Sequence, residues 1–260
     1  MSHQDVIHDQ FSRQAVPFSE ARSMADADAI QLLIDAAQAA PGQRSLVVAC
    51  GPGLVALAFA GIVREAVGLD TTPAMLDRAR VLQLQRGIAN VAWVSGEADQ
   101  LPFPDGSFDA VTCRFAFHHM LDPAAVLSEM KRAAKPGGRI VVCDGVASDD
   151  SAKAQAFNTF ERMRDPSTVR FLTASELRSL FAQAGLQIDA ERTYRVPAEL
   201  EALLKTSFPA AEDIPRLRET VVASLSDDGL GMATRRDGDR ILLSYPALIL
   251  SASRSRMEQT

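Results

Sequence analysis

A glycine turn between an apolar segment and a helical segment constrains the fold of this chain more than any other feature. Residues 45–50 (SLVVAC) have the pattern of a buried strand, Gly51-Pro52-Gly53 forms a turn, and residues 54–60 (LVALAFA) begin a helix. Such a turn presents backbone N–H groups and a helix N-terminus to a ligand. The spacing Gly51-x-Gly53-x-x-Ala56 fits a relaxed dinucleotide fingerprint, but glycine turns also hold other nucleoside cofactors, so this segment alone leaves the ligand open.

Strand-like and helix-like segments alternate from residue 45 to residue 144. Two of the helical patterns begin at Pro73 and at Asp122-Pro123, which are favourable residues for a helix N-terminus. This alternation predicts a parallel sheet with right-handed crossovers and helices on both faces. The five predicted strands are residues 45–50, 64–70, 91–95, 108–113 and 139–144.

The pattern changes after Asp144. Residues 148–184 read as two helices, the second capped by Thr173, and residues 186–196 read as a strand. A further helical region and a closing strand, residues 239–254, complete the chain. We therefore predict one α/β domain, residues 1–260, built on a Rossmann-like, seven-stranded, mostly parallel sheet with helices on both faces. Its three parts are an N-terminal helical cap (1–44), a cofactor-binding core (45–147), and substrate-covering helices with closing strands (148–260), including a helical insertion after strand 5.

Composition limits the partners and the compartment of the protein. The formal net charge of −6 and the absence of a basic block argue against nucleic acid as a partner. Three cysteines suggest no disulfide framework and fit a reducing compartment. The polar N-terminus lacks the apolar core of a signal peptide, and no apolar run reaches the ~20 residues that span a bilayer. These features predict a cytoplasmic protein without a membrane span.

Two residue types bear on the choice of cofactor. Neither Tyr194 nor Tyr245 has a lysine four residues later, which argues against the Tyr-x-x-x-Lys arrangement of many nicotinamide reductases. Asp70 ends the second predicted strand, where a carboxylate can accept hydrogen bonds from both hydroxyls of a ribose. Because dinucleotides and other adenosine cofactors share that ribose, Asp70 supports adenosine without deciding between them.

Five motifs together decide the cofactor. In chain order they are VACGPG, VGLDTTPAML, GEADQLPFPDGSFDAV, CRFAFHHMLDP and EMKRAAKPGGRIVVCD, and they cover residues 45–144. In order and spacing they resemble the class I S-adenosylmethionine (SAM) methyltransferases, especially the branch similar to ubiquinone and menaquinone biosynthesis C-methyltransferases. The resemblance implies that SAM is bound, that S-adenosylhomocysteine (SAH) is the product, and that a small molecule accepts the methyl group.

The resemblance also implies roles for individual residues. Gly51 and Gly53 would let the backbone approach the cofactor, Asp70 would bind the ribose hydroxyls, and Phe18 would close over the cofactor. The remaining implied contacts are Cys50 in the turn, Thr71 and Met75 beside the adenosine, Glu97 and Ala98 at the adenine edge, and Arg114 and Phe115 beside the methionine moiety.

The first motif departs from the family pattern at two positions. Val47 stands where relatives usually have an acid that orders the loop and the ammonium group of the cofactor, and Pro52 replaces a threonine and removes an N–H donor. Each loss could weaken binding by about 1 kcal/mol or more. Either another carboxylate compensates, or SAM binds weakly, or the fold has been turned to other chemistry.

Methyl transfer needs few catalytic residues because the cofactor carries the reactive group. His118 and His119 follow the fourth strand and are the candidates for a catalytic base, although they could instead orient the loop before Asp122. Candidate substrate contacts lie in the helical insertion, where helical spacing also fits a core stripe. They are Phe157, Phe160, Met163 and Arg164.

We therefore predict methyl transfer from SAM to oxygen or carbon of a small, partly apolar metabolite, with no bound metal. Two alternatives stay open: demethylation, dehalogenation or elimination on a small molecule, and a catalytically degenerate SAM-binding partner protein. The exposed elements of the helical cap would allow a homodimer.

Overall fold

The sheet of this protein is mostly parallel, as predicted, and has one strand more than predicted. In the computed structural model, which describes residues 2–255, eight strands form one sheet in the order β3-β2-β1-β4-β5-β8-β6, and β7 pairs with β8. The strands are β1 (Arg44–Val48), β2 (Glu65–Asp70), β3 (Val91–Ser95), β4 (Phe108–Arg114), β5 (Ala134–Gly145), β6 (Ile188–Glu199), β7 (Arg235–Asp237) and β8 (Arg240–Ser253).

Strands β1 to β5 are parallel to one another, whereas β8 runs antiparallel to β5, β6 and β7. The mostly parallel α/β fold is therefore confirmed. The additional strand β7 forms a hairpin with β8 through Gly238, whose φ of +59° suits a tight turn. Its three residues are all polar and exposed, so no apolar alternation marked it as a strand.

The helices follow the expected pattern, with the helical insertion after β5. They are α1 (His3–Glu20), α2 (Ala27–Ala36), α3 (Leu54–Ala60), α4 (Pro73–Arg86), α5 (Pro123–Ala133), α6 (Ser151–Arg164), α7 (Ala174–Gln183), α8 (Leu200–Ser207) and α9 (Ile214–Asp227), with a short 3₁₀ helix at Phe117–His119. Thr173 forms the predicted cap of α7, where its side chain accepts a hydrogen bond from Glu176 N–H. None of the described helices is long and apolar enough to cross a membrane.

Each face of the sheet has its own apolar core. Helices α5 and α7 pack on one face around Leu127 and Phe181, and α2, α3 and α4 pack on the other around Leu33 and Phe59. A third cluster joins α6, α8 and α9 with β8. Because β1, β2, β4 and β5 are parallel, their carboxyl ends meet at one edge of the sheet, where a ligand site is expected.

Candidate active site

A cavity of about 400 Å³ lies at this edge of the sheet and is covered by α1. We call it the strand-end cavity. Its volume is in the range of small-molecule sites, about 300–1,000 Å³. Ten of the eleven residues that we predicted for cofactor binding line it, and Gly53 does not. The ten are Phe18, Cys50, Gly51, Asp70, Thr71, Met75, Glu97, Ala98, Arg114 and Phe115.

Gly51 and Gly53 are required in the turn for different structural reasons. Gly51 has φ of +54° and lines the cavity, and a Cβ added there would meet nothing closer than Met75 Sδ at 4.0 Å. Gly53 has φ of +81°, and a Cβ there would overlap the indole of Trp93 and lie 2.9 Å from Ala79 Cβ. Gly51 therefore leaves space for a ligand, whereas Gly53 lets the turn pack against the protein beneath it.

This difference predicts that two matched substitutions differ in how strongly they affect stability and ligand binding. Gly53→Ala combines left-handed strain with overpacking and should lower the free energy of unfolding by roughly 2–5 kcal/mol. Gly51→Ala carries only the backbone strain, about 1–2 kcal/mol, but places a methyl group in the cavity and should weaken SAH binding. Urea unfolding and calorimetric titration of both variants check this. Equal stability of the two variants would contradict it.

Asp70 is held firmly at the carboxyl end of β2. One carboxylate oxygen accepts a hydrogen bond from Gly51 N–H at 2.8 Å and the other from Thr72 N–H at 2.9 Å. Its side chain is buried, and burial raises the pKa of its carboxyl group, against the effect of these two N–H groups. A carboxylate has about four lone-pair sites and Asp70 lines the cavity, so it can still accept hydrogen bonds from ligand hydroxyls.

Helix α1 closes the cavity, a contribution that sequence reasoning largely missed. His3 Nε2 lies 2.8 Å from the carbonyl oxygen of His119, and His8 Nε2 lies 3.1 Å from Thr71 Oγ1. Gln4 donates a hydrogen bond to Glu97. We had predicted only Phe18 from this helix. Ile7 and Phe11 also line the cavity, and their spacing of four residues was an available signal.

A second cavity of about 170 Å³ adjoins the first, and we call it the His118 cavity. The two cavities share Phe11, Phe18, Phe115 and His119 in their walls. Phe115 has φ of +54°, which is unusual for a bulky residue and places its ring between the two spaces. Ligands bound in the two cavities would therefore be separated only by the width of these side chains.

His118 is oriented by a carboxylate from a neighbouring strand. Its Nδ1 lies 2.7 Å from Asp144 Oδ1, and its backbone N–H donates to Asp144 Oδ2 at 2.8 Å. The imidazole stacks on Phe171 at 4.0 Å between ring centres. Because Asp144 accepts the Nδ1 proton, Nε2 is the basic nitrogen, and no described residue forms a hydrogen bond with it. Sequence reasoning did not assign Asp144 any role.

His119 is held in the same tautomer by a different chain of contacts. Burial alone would raise the pKa of Asp165, but Arg164 beside it holds that pKa below its usual range, so Asp165 is an acceptor only. Ser167 donates its single hydroxyl proton to Asp165, and Ser167 Oγ lies 3.1 Å from His119 Nδ1. His119 must therefore donate from Nδ1, which leaves Nε2 unprotonated.

The environment of His119 makes it a weak base. Burial, and then the neighbouring His118, lowers the pKa of His119 from 6.5 to about 3. His119 therefore stays neutral at physiological pH and is a weak base. A hydrogen-bond acceptor is the role that this environment favours for it.

The low pKa of His119 predicts a dependence of stability on pH. The unfolded chain protonates this histidine below about pH 6.5, but the folded protein does not, so folding is opposed as the pH falls from about 6.5 toward 3. Relative to His119→Gln, the wild-type protein should lose about 1.4 kcal/mol of unfolding free energy per pH unit across this window. Urea unfolding at pH 7, 6 and 5 measures the slope. If the unfolding free energies of the two proteins change equally with pH, then His119 is not buried in its neutral form.

Only one of the four residues predicted to bind substrate lines a cavity. Arg164 lines the His118 cavity, but its guanidinium is already paired with buried Glu161 at 2.6 Å. Phe157 and Phe160 are 2% exposed and pack in the third core, and Met163 packs against it. None of these three lines a cavity described above, so the helical spacing reflects core packing at least as much as substrate contact. Phe171, which lies in the same helical insertion, lines the His118 cavity together with Tyr245 and Leu203.

Comparisons with known proteins identify relatives of this chain. A family profile described as "Methyltransferase domain" matches residues 46–142. The chain is 33% identical over 202 residues to methyltransferase YcgJ of Bacillus subtilis (strain 168), an alignment that covers 78% of this chain and 80% of YcgJ. The crystal structure of YcgJ superimposes with a TM-score of 0.81 at 28% identity and covers 88% of this chain and 98% of the YcgJ chain.

The name of a further relative states a reaction. The chain is 36% identical over 124 residues to the ubiquinone/menaquinone biosynthesis C-methyltransferase UbiE of Ectopseudomonas mendocina (strain ymp). That alignment covers 46% of this chain and 48% of UbiE, about half the length of each protein.

Proposed function

Because the chain belongs to the family of class I SAM-dependent methyltransferases, we propose that it methylates an oxygen or carbon atom of a small, partly apolar acceptor bound in the His118 cavity. One observation carries this proposal: the His118–Asp144 pair faces a mostly apolar cavity that shares a wall with the strand-end cavity. Methyl transfer requires the acceptor atom to reach the cofactor to within about 3–3.5 Å, and a base beside an adjoining cavity can act on an acceptor that extends past the shared side chains.

The residues of the strand-end cavity fit SAM. Gly51 leaves room beside the turn, Asp70 offers acceptors for the ribose hydroxyls, and Arg114 lines the cavity wall. When bound, SAM supplies an electrophilic methyl group on a sulfonium. We therefore propose SAM as the cofactor and the ten lining residues named above as its contacts.

His118 would act on the acceptor. Its Nε2 can remove the proton from an acceptor hydroxyl, or from an acidic carbon atom, as the methyl group is transferred. The resulting imidazolium keeps its Nδ1 hydrogen bond to Asp144, whose negative charge stabilises it. The proton then leaves to solvent. His119, neutral beside it, would accept a hydrogen bond from the acceptor and hold it in place.

The acceptor has a route into the cavity. An outer cavity of about 530 Å³ shares six wall residues with the His118 cavity, namely Ala21, Ser23, Pro197, Ala198, Leu203 and Thr206. Most of this shared wall is apolar. An acceptor larger than the His118 cavity alone could extend its apolar part into the outer cavity, with its reacting atom near His118.

The name of the UbiE relative suggests a more specific acceptor. Quinone precursors carry acidic ring hydroxyls and adjacent ring carbons, and the aromatic walls formed by Phe11, Phe18 and Phe171 suit a planar ring. We propose that phenols and hydroxynaphthols are the first acceptors to test. They are small molecules, and the formal net charge of −6 disfavours nucleic acid as a substrate.

A methyl-transfer assay tests the proposal. Purified protein is incubated with SAM labelled on its methyl group and a panel of phenols and naphthols, and the label transferred to acceptor is measured together with SAH. We expect transfer to at least one apolar ring acceptor, and much less with His118→Asn. SAH binding without transfer to any acceptor in a broad panel would instead support the degenerate partner protein, and formation of products without SAH would support non-standard chemistry.

A substitution at the mouth of the His118 cavity tests the route. Leu203→Trp should narrow the passage between the outer cavity and the His118 cavity. It should raise KM for the acceptor about tenfold or more, because the larger side chain would occupy space that the acceptor needs, while Kd for SAH stays unchanged. Steady-state kinetics with the acceptor from the panel and calorimetry with SAH give the two values. An unchanged KM would mean that the acceptor enters elsewhere.

A further inference from the structure

Two arginines border the outer cavity without a partner. Arg22 lies in the segment between α1 and α2, and Arg235 is the first residue of β7. Both side chains are exposed to solvent and both line this cavity. Within residues 2–255, neither guanidinium forms a hydrogen bond or an ion pair. Each therefore keeps all of its donors for a ligand in the cavity.

The register of the sheet directs Arg235 toward the outer cavity. Arg235 is paired with Leu242, and Leu242 is paired with Glu199, so these three side chains lie on one face of the sheet. Leu242 and Glu199 also line the outer cavity. Arg22 reaches the same cavity from a different part of the chain, so the two positive charges border one space.

Glu199 does not neutralise these arginines. It is the one acidic residue among the described residues that line the outer cavity. Its two carboxylate oxygens accept hydrogen bonds from the backbone N–H groups of Glu201 at 3.1 Å and Ala202 at 2.8 Å, as the N-cap of α8. The wall of the outer cavity therefore carries two cations and one anion, and that anion is already bound to a helix N-terminus.

The His118 cavity has the opposite balance of charge. Arg164 forms an ion pair with buried Glu161 at 2.6 Å and lies beside Asp165, so one cation faces two carboxylates. Asp144, which is 3% exposed, adds a further carboxylate behind His118. An anion in this cavity would be repelled by the excess of carboxylates and would also lose its hydration.

We infer that the acceptor carries an anionic group at the end remote from its reacting atom, and that Arg22 and Arg235 bind this group in the outer cavity. The inference rests on the proposed function and adds to it a class of acceptor, namely elongated, mostly apolar molecules with one acidic end. The largely apolar wall that the two cavities share connects that end to the space beside His118. The opposite charges of the two cavities orient the acceptor, because its anion is attracted outward while its reacting hydroxyl stays near the base.

Matched acids and amides test the charge of the remote group in the wild-type protein. The probes are ω-(4-hydroxyphenyl)alkanoates of increasing chain length, from the propanoate to the nonanoate, and the corresponding primary amides, which have nearly the same shape and no charge. Calorimetry with SAH-saturated protein gives Kd for each compound. A short acid keeps its carboxylate in the His118 cavity and should bind at least about fivefold more weakly than its amide. An acid long enough to reach the arginines should bind about three- to tenfold more tightly than its amide, the gain expected of two exposed ion pairs.

A double substitution then assigns the preference to the two arginines. Arg22→Met combined with Arg235→Met should abolish the preference for the long acids and should leave the Kd of every amide within about twofold of its wild-type value. Arg192→Met on β6 combined with Arg216→Met on α9 is the matched control, because it removes the same charge from two exposed residues that line none of the three cavities. The control protein should keep the preference for the long acids.

Three results would overturn the inference. The first is that the amides bind at least as tightly as their acids at every chain length. The second is that the double substitution weakens acids and amides equally, which would show a structural role for the arginines. The third is that the control protein also loses the preference, which would show a general effect of charge. Failure of the wild-type protein to bind SAH, or to bind either series of probes in its presence, is a different result, because it would overturn the proposed function itself.

Discussion

Replacement of His118 by asparagine should lower kcat for methyl transfer by roughly 10²- to 10⁴-fold at pH 7, the range associated with general-base catalysis. Asparagine can still donate a hydrogen bond to Asp144, as Nδ1 of His118 does across 2.7 Å, but it has no basic nitrogen. Kd for SAH should change less than threefold, because His118 lines the His118 cavity and not the strand-end cavity. Single-turnover kinetics and calorimetry measure the two quantities.

Two further variants make this result specific. Asp144→Asn keeps the shape of the pair but removes the acceptor that holds the proton on His118 Nδ1, so kcat should again fall strongly. His119→Asn should lower kcat by no more than about tenfold, since a group with a pKa of about 3 contributes little as a base. If kcat falls more in His119→Asn than in His118→Asn, then His119 is the base and the proposed assignment to His118 is wrong.

Replacement of Asp70 by asparagine should raise Kd for SAH by about 100-fold or more. The ionised carboxylate offers two acceptors to the ribose hydroxyls, and hydrogen bonds to a charged group contribute roughly 1.5–3 kcal/mol each. An asparagine retains one acceptor and turns a donor toward the backbone N–H of Gly51 or Thr72. The melting temperature should change little, because the variant also relieves the burial of a charge, the effect that raises the pKa of Asp70.

Calorimetry and thermal unfolding with SAH-free protein test this prediction together. Asp77→Asn is the matched control, since Asp77 is exposed on α4 and pairs only with Arg80 at the surface. If Asp70→Asn binds SAH as tightly as the control, the carboxylate orders the turn and does not hold the ribose.

Much of the fold followed from local patterns. The three helical segments predicted between residues 54 and 133 lie where their apolar spacing and N-terminal residues placed them, and Asp122 caps α5 as expected. The first strand ends earlier than predicted, at Val48, because Ala49 adopts φ of +50° and turns the chain toward the cavity. A non-glycine residue in that conformation has no reliable signal in sequence.

Other features lacked a local signal. The exposed, polar β7 carries no strand alternation and is held by pairing with β8. Phe157 and Phe160 fit a substrate-facing stripe and a core stripe equally by their spacing, and packing against α8, α9 and β8 places them in the core. Helical periodicity states which residues share a face, but it does not state what that face touches.

The sequence by itself determined the strand and helix pattern, the glycine turn, Asp70 at the end of β2 and the family to which the chain belongs, because each depends on residues close together in the chain. Only the tertiary structure decided which histidine has a carboxylate partner, since His118 and Asp144 are 26 residues apart and meet across neighbouring elements. It likewise decided that His119 is buried against Ser167, which lies 48 residues further along the chain. Burial and contacts between distant residues are properties of the packed chain, and no local pattern encodes them.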